Sequence, residues 1–201
     1  MPLSAFGINC TLKPSPEPSS TQKILDEVLQ ALREQGVSGA SERMVDCDVK
    51  PGVSSDEGDG DAWPELRRKI LDADILVMAT PIWLGQPSSV AKRALERLDA
   101  FLGESDEHQR FPSYGRVAVV AIVGNEDGAH HVSAELYQAL VDVGFTIPAA
   151  ATGYWVGEAM GATDFKDLDE TPDKISSAIR QLASNATHLA KLLQDSPYPG
   201  T

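Results

Sequence analysis

The sequence predicts an α/β fold in which one parallel β-sheet is covered by helices on both faces. Short apolar runs alternate along the chain with segments whose apolar residues recur every three or four positions. Two of the apolar runs, residues 75–79 and 117–123, are continuous, as in strands that are buried on both faces. The 201 residues are enough for one domain with a sizeable core.

The first half of the chain predicts two strands and two helices, in the order strand 3–10, helix 21–35, strand 43–49 and helix 62–71. Ser19 has capping-box spacing from Gln22, and Gly36 stands where the first helix would end. Asp61 is a candidate cap for the second helix, whose first turn tolerates Pro64. The acidic stretch before it, residues 51–61, predicts a solvated surface loop rather than a metal loop, because it lacks EF-hand spacing.

The second half continues the alternation with strand 75–79, helix 88–102, strand 117–123, helix 131–143, strand 145–150 and a helix from Thr171–Pro172 to about Gln194. A threonine cap followed by proline is a typical helix start. Five strands joined by helices favour a five-stranded parallel sheet in the order 2-1-3-4-5, a flavodoxin-like three-layer sandwich. In such a sheet a ligand binds beyond the carboxyl ends of the strands.

Composition excludes several functional classes. There are 17 Lys and Arg residues against 30 Asp and Glu, a formal net charge of −13, which argues against nucleic acid or an anionic membrane as a partner. No apolar run approaches the roughly 20 residues of a membrane-spanning helix, and the amino terminus does not resemble a signal peptide. The two cysteines, Cys10 and Cys47, form no CxxC motif, which indicates free thiols in a reducing cytoplasm.

The loop after the first strand combines hydroxyl groups, one cation and a helix start, and these groups suit a phosphate. Its candidate donors are Thr11, Lys13, Ser15, Ser19, Ser20 and Thr21. Alternatively, the hydroxyls only cap their helix. There is no P-loop, no GxGxxG after this strand and no GxSxG elbow anywhere.

The loop after the third strand is apolar and aromatic, which is unusual at the water-facing edge of a sheet. Residues 81–85 would form a flat wall for a planar ring, or would be buried against a partner subunit or a neighbouring loop. The loop after the fourth strand, residues 124–130, has two glycines and polar residues that could meet the heteroatoms of a ligand. Alternatively it is a helix-capping turn, and we expect surface or capping roles for His130 and His131.

The third-strand segment carries the most specific part of a family resemblance. Alanine and aspartate at 73–74 precede the apolar strand 75–79, and a loop with proline, an aromatic residue and glycine follows at 81–85. Residues 90–102 supply the next helix.

The other loops match the same family pattern more loosely. Residues 9–13 and 19–21 stand where the family has glycine-serine-proline-arginine and serine-asparagine-threonine, and 124–128 and 144–153 fit less closely. In order and spacing, residues 3–195 resemble the NADPH-dependent FMN reductase family, whose flavodoxin-like members include quinone reductases.

The resemblance implies that the FMN phosphate is held by Thr11, Lys13, Ser19, Ser20 and Thr21. It implies that the isoalloxazine ring lies against Pro81, Ile82, Trp83, Leu84 and Gly85. It implies that the other edge of the ring or the ribityl chain contacts Gly124, Asn125, Asp127 and Gly128. The cofactor performs the chemistry, so no residue is assigned as a catalytic acid or base or as a metal ligand.

The resemblance also implies an FMN-dependent oxidoreductase that passes hydride from NAD(P)H to FMN and on to a quinone, a flavin or a similar small-molecule acceptor. The alternatives are a non-enzymatic flavodoxin-like electron carrier and a cofactor-less binding protein; the latter is motivated by Pro14, Pro16 and Pro18, which remove donors from the first loop.

We expect residues 1–195 to form a single flavodoxin-like flavin-binding domain and residues 196–201 a flexible tail. The resemblance further implies a homodimer or homotetramer. Trp155 would then have a packing role or cover the flavin of a neighbouring subunit.

Overall fold

The computed structural model describes residues 2–200, which contain six strands and five α-helices. The strands are β1 Ser4–Asn9, β2 Ser38–Arg43, β3 Ile75–Trp83, β4 Gln86–Pro87, β5 Val117–Gly124 and β6 Thr152–Val156. The helices are α1 Ser20–Glu34, α2 Trp63–Asp72, α3 Ser89–Leu98, α4 Ala129–Asp142 and α5 Asp173–Asp195. No helix among these residues is long and apolar enough to cross a bilayer.

Five of the strands run parallel in the order β2-β1-β3-β5-β6, and the two-residue β4 pairs antiparallel with the end of β3. The register places Ile8 beside Met78 and Met78 beside Val120. One core lies between the sheet and α2, α3 and α4, and a second lies between the sheet and α1 and α5. The predicted flavodoxin-like sandwich and its strand order 2-1-3-4-5 are confirmed.

Two predicted strands were misplaced. The second strand is Ser38–Arg43 rather than residues 43–49, because Met44–Asp46 forms a 3₁₀ turn and the polar edge strand has only partial burial. The last parallel strand is Thr152–Val156 rather than residues 145–150. In that earlier segment only Thr146 bridges to Val117, and the chain then leaves the sheet.

Two helix ends also differ from the prediction. Helix α3 ends at Leu98, and the chain continues to Gly103 as a 3₁₀ turn. Helix α5 is preceded by Pro172 as its N-cap, because the Thr171 hydroxyl donates to the Glu27 carboxylate instead of capping the helix.

The acidic loop is not wholly solvated, because its last acid is buried in an ion pair. Asp61 Oδ2 lies 2.7 Å from Arg97 Nη2, and both side chains are fully buried. Asp61 also accepts backbone N–H bonds from Lys50, Glu57 and Trp63. Burial by itself would raise the pKa of Asp61, but these bonds, led by that of Arg97, outweigh it and hold the pKa well below its usual range.

Ser4 and Gln194, which lie close to the two ends of the described residues, bind one carboxylate on the amino edge of the sheet. Asp74 Oδ2 accepts the Ser4 N–H at 2.8 Å, and its Oδ1 accepts from Gln194 Nε2 at 2.9 Å. Beyond α5, the Tyr198 ring lies 5.7 Å from the ring of Tyr114, between centroids. The flexibility of the tail stays a prediction.

Candidate functional site

A cavity of about 380 Å³ opens at the carboxyl edge of the sheet, where β1, β3, β5 and β6 end. This is the volume range of small-molecule sites. Its lining comes from four separate loops: Thr11, Leu12, Lys13, Ser19, Ser20, Thr21, Pro81, Ile82, Trp83, Val123, Gly124, Asn125, Glu126, Trp155, Met160 and Asp164.

Buried Asn9 sets the course of the first loop as β1 ends. Its Oδ1 accepts the Thr11 N–H at 2.9 Å, and its Nδ2 donates to Gln22 Oε1 at 2.8 Å. Gln22 lies in the first turn of α1, so one amide joins the start of the loop to the helix that follows it. The amide is fully buried, so both bonds are protected from water.

The proline-rich part of the loop is held on its outer side. Arg43 Nη1 donates to the carbonyls of Lys13, Pro14 and Glu17, the shortest of these bonds being 2.8 Å. Asp46 accepts the Ser15 N–H at 2.9 Å and the Ser15 hydroxyl at 2.6 Å, and these bonds lower its pKa. The prolines therefore do not line the cavity, and Glu17 is exposed.

The start of α1 offers donors to the cavity. Ser19 is the N-cap, and its Oγ accepts the Gln22 N–H at 3.3 Å. The N–H groups of Ser20 and Thr21, the first two helical residues, have no acceptor within the helix. The first turn of α1 holds no acidic residue. The positive charge of Lys13 lies near Asp167 and is one of the smaller influences that lower the pKa of Asp167, after its bond with Lys166. We call these residues, Lys13 and 19–21, the anion seat.

The opposite wall of the cavity is apolar. Strand β3 continues through Pro81 to Trp83, with Ile82 buried and Trp83 55% exposed. From β6, Trp155 enters the same cavity within its own chain and packs on Phe165, 5.5 Å between ring centroids. Half-exposed aromatic surface of this kind suits a flat ring.

A buried hydroxyl network fixes where the loops after β1 and β3 leave the sheet. Ser88 Oγ donates to the Cys10 carbonyl at 2.6 Å, and the Thr80 hydroxyl accepts the Ser88 N–H at 3.1 Å. Ser88 Oγ also caps α3 by accepting from Ala91 N. Burial raises the pKa of the Cys10 thiol well above its usual range, so this cysteine is a neutral packing group rather than a nucleophile.

The loops after β3 and β5 contact each other beside the cavity, between it and a neighbouring groove. Leu84 and Gly85, at φ 52° and 73°, make the two-residue turn that joins β3 to β4. Leu84 N donates to Glu126 Oε1 at 2.8 Å. A Cβ on Gly128 would lie 2.8 Å from the Gly85 Cα, so only glycine fits there.

Most of the predicted site residues line the cavity, namely Thr11, Lys13, Ser19, Ser20, Thr21, Pro81, Ile82, Trp83, Gly124 and Asn125. Three of the others face a neighbouring groove that also contains His130, His131 and Tyr154: Gly85, Asp127 and Gly128. Leu84 lines neither space and is 91% exposed.

Sequence reasoning missed the part of the cavity that comes from the β6–α5 connector. Met160 and Asp164 line the cavity, and Asp164 Oδ1 accepts from Asn125 Nδ2 at 2.9 Å. Lys166 pairs with Asp167 and Asp164, which raise its pKa. These residues come close to the strand ends only in the folded protein, so no local sequence pattern predicts that they line the cavity. Glu126, inside the predicted loop 124–130, was also not selected.

Known proteins resemble this chain along nearly its whole length. The family model described as NADPH-dependent FMN reductase matches residues 5–159. An 8-demethyl-8-aminoriboflavin-5'-phosphate synthase from Streptomyces davaonensis is 35% identical over 98% of this chain and 81% of its own. A protein named divalent metal cation transporter MntH, from Mycobacterium bovis, is 38% identical over 96% of this chain, which spans only 29% of that protein.

Solved structures also resemble this chain along nearly its whole length. The crystal structure of RosB with bound intermediate OHC-RP (8-demethyl-8-formylriboflavin-5'-phosphate) superposes with a TM-score of 0.88 at 34% identity, covering 98% of this chain and 82% of RosB. An NADH:FMN oxidoreductase, EMOB, shares the fold at a TM-score of 0.65 and 19% identity, covering 94% of this chain and 89% of that one. The chain belongs to the NADPH-dependent FMN reductase family.

Proposed function

We propose that the cavity binds FMN and that the protein is an FMN-dependent oxidoreductase, which takes hydride from NAD(P)H and passes it to a quinone, a flavin or a similar small acceptor. One observation carries the proposal: the anion seat and the apolar wall of Ile82 and Trp83 line the same cavity at the carboxyl edge of the sheet. Family membership supports the same function.

The residues present fit the chemistry of FMN. A phosphate dianion is satisfied by free N–H groups at a helix start, and Ser20 and Thr21 supply two of them beside the Lys13 cation. A flat heterocycle can stack on Trp83 and on the partly buried Trp155. The three loop prolines lie outside the cavity lining, so they remove no donor from it.

In the proposed mechanism bound FMN would supply hydride acceptance and donation, and the protein would supply binding and orientation. The anion seat fixes one end of the ligand, and Asn9 and Ser88 hold the loops that form its surroundings. Trp83 and Ile82 would shield one side of the ring from water. The half-exposed edge at Trp83 leaves space for a second substrate to approach.

The absorption spectrum of the purified protein with FMN, before and after anaerobic addition of NADPH or NADH, tests the proposal. We expect a flavin spectrum that bleaches with a nicotinamide and returns with a quinone or free flavin. Bleaching by dithionite alone would favour the electron carrier. No spectral change on addition of FMN, together with an unchanged melting temperature, would favour the cofactor-less binding protein.

A second candidate is an enzyme that uses FMN as its substrate and modifies it chemically. The synthase from Streptomyces davaonensis supports it, because that relative is 35% identical along almost the whole chain. Mass spectrometry of the flavin recovered after turnover separates the two candidates. The oxidoreductase returns FMN of unchanged mass, and a modifying enzyme returns a flavin of altered mass.

We also propose a homodimer or homotetramer in the cytoplasm. Exposed apolar residues gather at the rim of the cavity, with Trp83 55%, Leu84 91% and Met160 97% exposed. Clusters of this kind are typical of surfaces that bind a partner or a ligand. The free thiols Cys10 and Cys47 suit a reducing compartment. Light scattering of the purified protein measures the number of subunits.

A further inference from the structure

We propose that Asn125 is a positioning residue that latches the connector segment 158–164 over the cavity, and that this latch sets the rate at which the flavin escapes. The inference rests on the proposed function, because it assigns FMN to the cavity. It changes the role of Asn125 from direct contact with the ligand to control of the segment that covers it.

Asn125 contacts the connector at three points. Its Nδ2 donates to Asp164 Oδ1 at 2.9 Å and to the Gly161 carbonyl at 3.4 Å, and its own carbonyl accepts the Met160 N–H at 2.9 Å. Asn125 follows directly after β5, so these bonds join the connector side of the cavity to the sheet.

Both flanks of the segment are anchored independently of Asn125. On one side, Gly157 N donates to the Gly124 carbonyl at 2.9 Å and extends the pairing of β6. On the other side, Ser20 Oγ accepts the Lys166 N–H, and Lys23 Nζ donates to the carbonyls of Phe165 and Leu168. The segment between these anchors can therefore move while its flanks stay in place.

Apart from the Asn125 bonds, the main link from the segment is the ion pair of Asp164 Oδ2 with Lys166 Nζ at 3.0 Å. Met160, at its tip, lines the cavity but is 97% exposed and has a φ of 61°, a backbone conformation that L-residues rarely adopt. Its internal hydrogen bond, Gly161 N to the Glu158 carbonyl at 2.8 Å, closes a turn within the segment itself. With few buried contacts, local opening costs little free energy, and the Asn125 bonds make up much of that cost.

The latch should control how fast FMN dissociates from the site. We expect a ligand seated on Ser20 and stacked near Trp83 to contact the segment as it leaves, because Met160 and Asp164 line the same cavity. Asp164 is partly exposed, so its bond with Asn125 has about the strength of an ordinary hydrogen bond, and its loss raises the population of an open state by about threefold to tenfold. FMN dissociation should accelerate by the same factor, while the rigid anion seat is unchanged.

The test uses Asn125→Ala, Asp164→Ala and the double variant, with Asn185→Ala as the matched control. Asn185 Nδ2 also donates to a backbone carbonyl, that of Ala149 at 2.7 Å, but Asn185 does not line the cavity. FMN dissociation is followed by stopped-flow fluorescence. Backbone hydrogen exchange of residues 158–164 is followed in the protein without added flavin.

We expect both single variants to accelerate exchange in residues 158–164 and FMN release by about threefold to tenfold. The effects of the two changes should be less than additive in the double variant, because both break the Asn125–Asp164 bond, whereas Asp164→Ala alone also removes the ion pair with Lys166. Faster FMN release in Asn125→Ala with unchanged exchange, or fully additive effects, would overturn the latch in favour of direct ligand contact. Failure to bind FMN would refute the proposed function, and the exchange experiment would still test the latch.

Discussion

Replacing Ser20 with proline removes one backbone donor from the anion seat while the helix is retained. Ser20 is the first helical residue of α1, the position where proline is most readily accepted, since its N–H has no partner within the helix. Ser19, before it, has φ −137° and ψ 129°, an extended conformation that a following proline permits. Ser20→Ala is the control, because it loses the same hydroxyl and keeps the N–H.

The expected effect follows from the loss of a single hydrogen bond to a charged group. Such a bond contributes about 1.5–3 kcal/mol, so Ser20→Pro should raise the Kd for FMN by about 10- to 150-fold relative to Ser20→Ala. Riboflavin, which lacks the phosphate, should bind both variants equally. Fluorescence titration gives all four constants, and thermal unfolding confirms that both proteins are folded.

Two results would refute the assignment of the phosphate to this helix start. One is an equal Kd for FMN in Ser20→Pro and Ser20→Ala. The other is an equal loss for FMN and riboflavin, which would show that proline disturbs the loop rather than removing a phosphate donor.

Three further predictions concern the hairpin turn, the apolar wall and the buried ion pair. Leu84→Asn should raise the free energy of unfolding by up to about 1 kcal/mol in denaturant titrations, because Asn-Gly suits a turn with two positive φ angles. Trp83→Ala should raise the Kd for FMN about tenfold or more, whereas Trp63→Ala, at a fully buried ring, should mainly reduce stability, by about 3–5 kcal/mol. Asp61→Asn should lower the free energy of unfolding by about 3–5 kcal/mol near neutral pH, because it leaves the buried Arg97 charge without its partner. Since the pKa of Asp61 is depressed on folding, the advantage of the parent protein is full above about pH 5 and shrinks as the pH falls below about 4, which pH-dependent denaturant titration checks. If the difference in free energy of unfolding between the parent and Asp61→Asn did not change with pH, this reasoning would be wrong.

The strands at the centre of the sheet were predictable because they are buried on both faces. Residues 75–79 and 117–123 are continuous apolar runs and lie in β3 and β5. The edge strand β2 was missed because its sequence, SGASER, is polar, and the more apolar stretch after it attracted the prediction. Edge strands are partly solvated, so hydrophobicity is a poor guide to them.

The same limit applies to the site. The residues of the anion seat and of the apolar wall were predicted because each set lies within one loop region that directly follows a predicted strand. Asp164 was not found because it meets Asn125 only through the fold, 39 residues further along the chain. Arg97 was not predicted to be a buried charge, because an arginine in a helix is usually exposed. Only the folded structure shows that Asp61 pairs with it.

The meeting of Ser4 and Gln194 at Asp74 has a practical consequence for handling the protein. Strands β1 and β3 begin there and end on the far side of the sheet, where the cavity opens. A label or a surface linker attached beside Ser4 or beside Gln194 would therefore project away from the entrance. Molecules tethered to a sensor chip or an electrode at either of these two positions would all present the entrance to the solution.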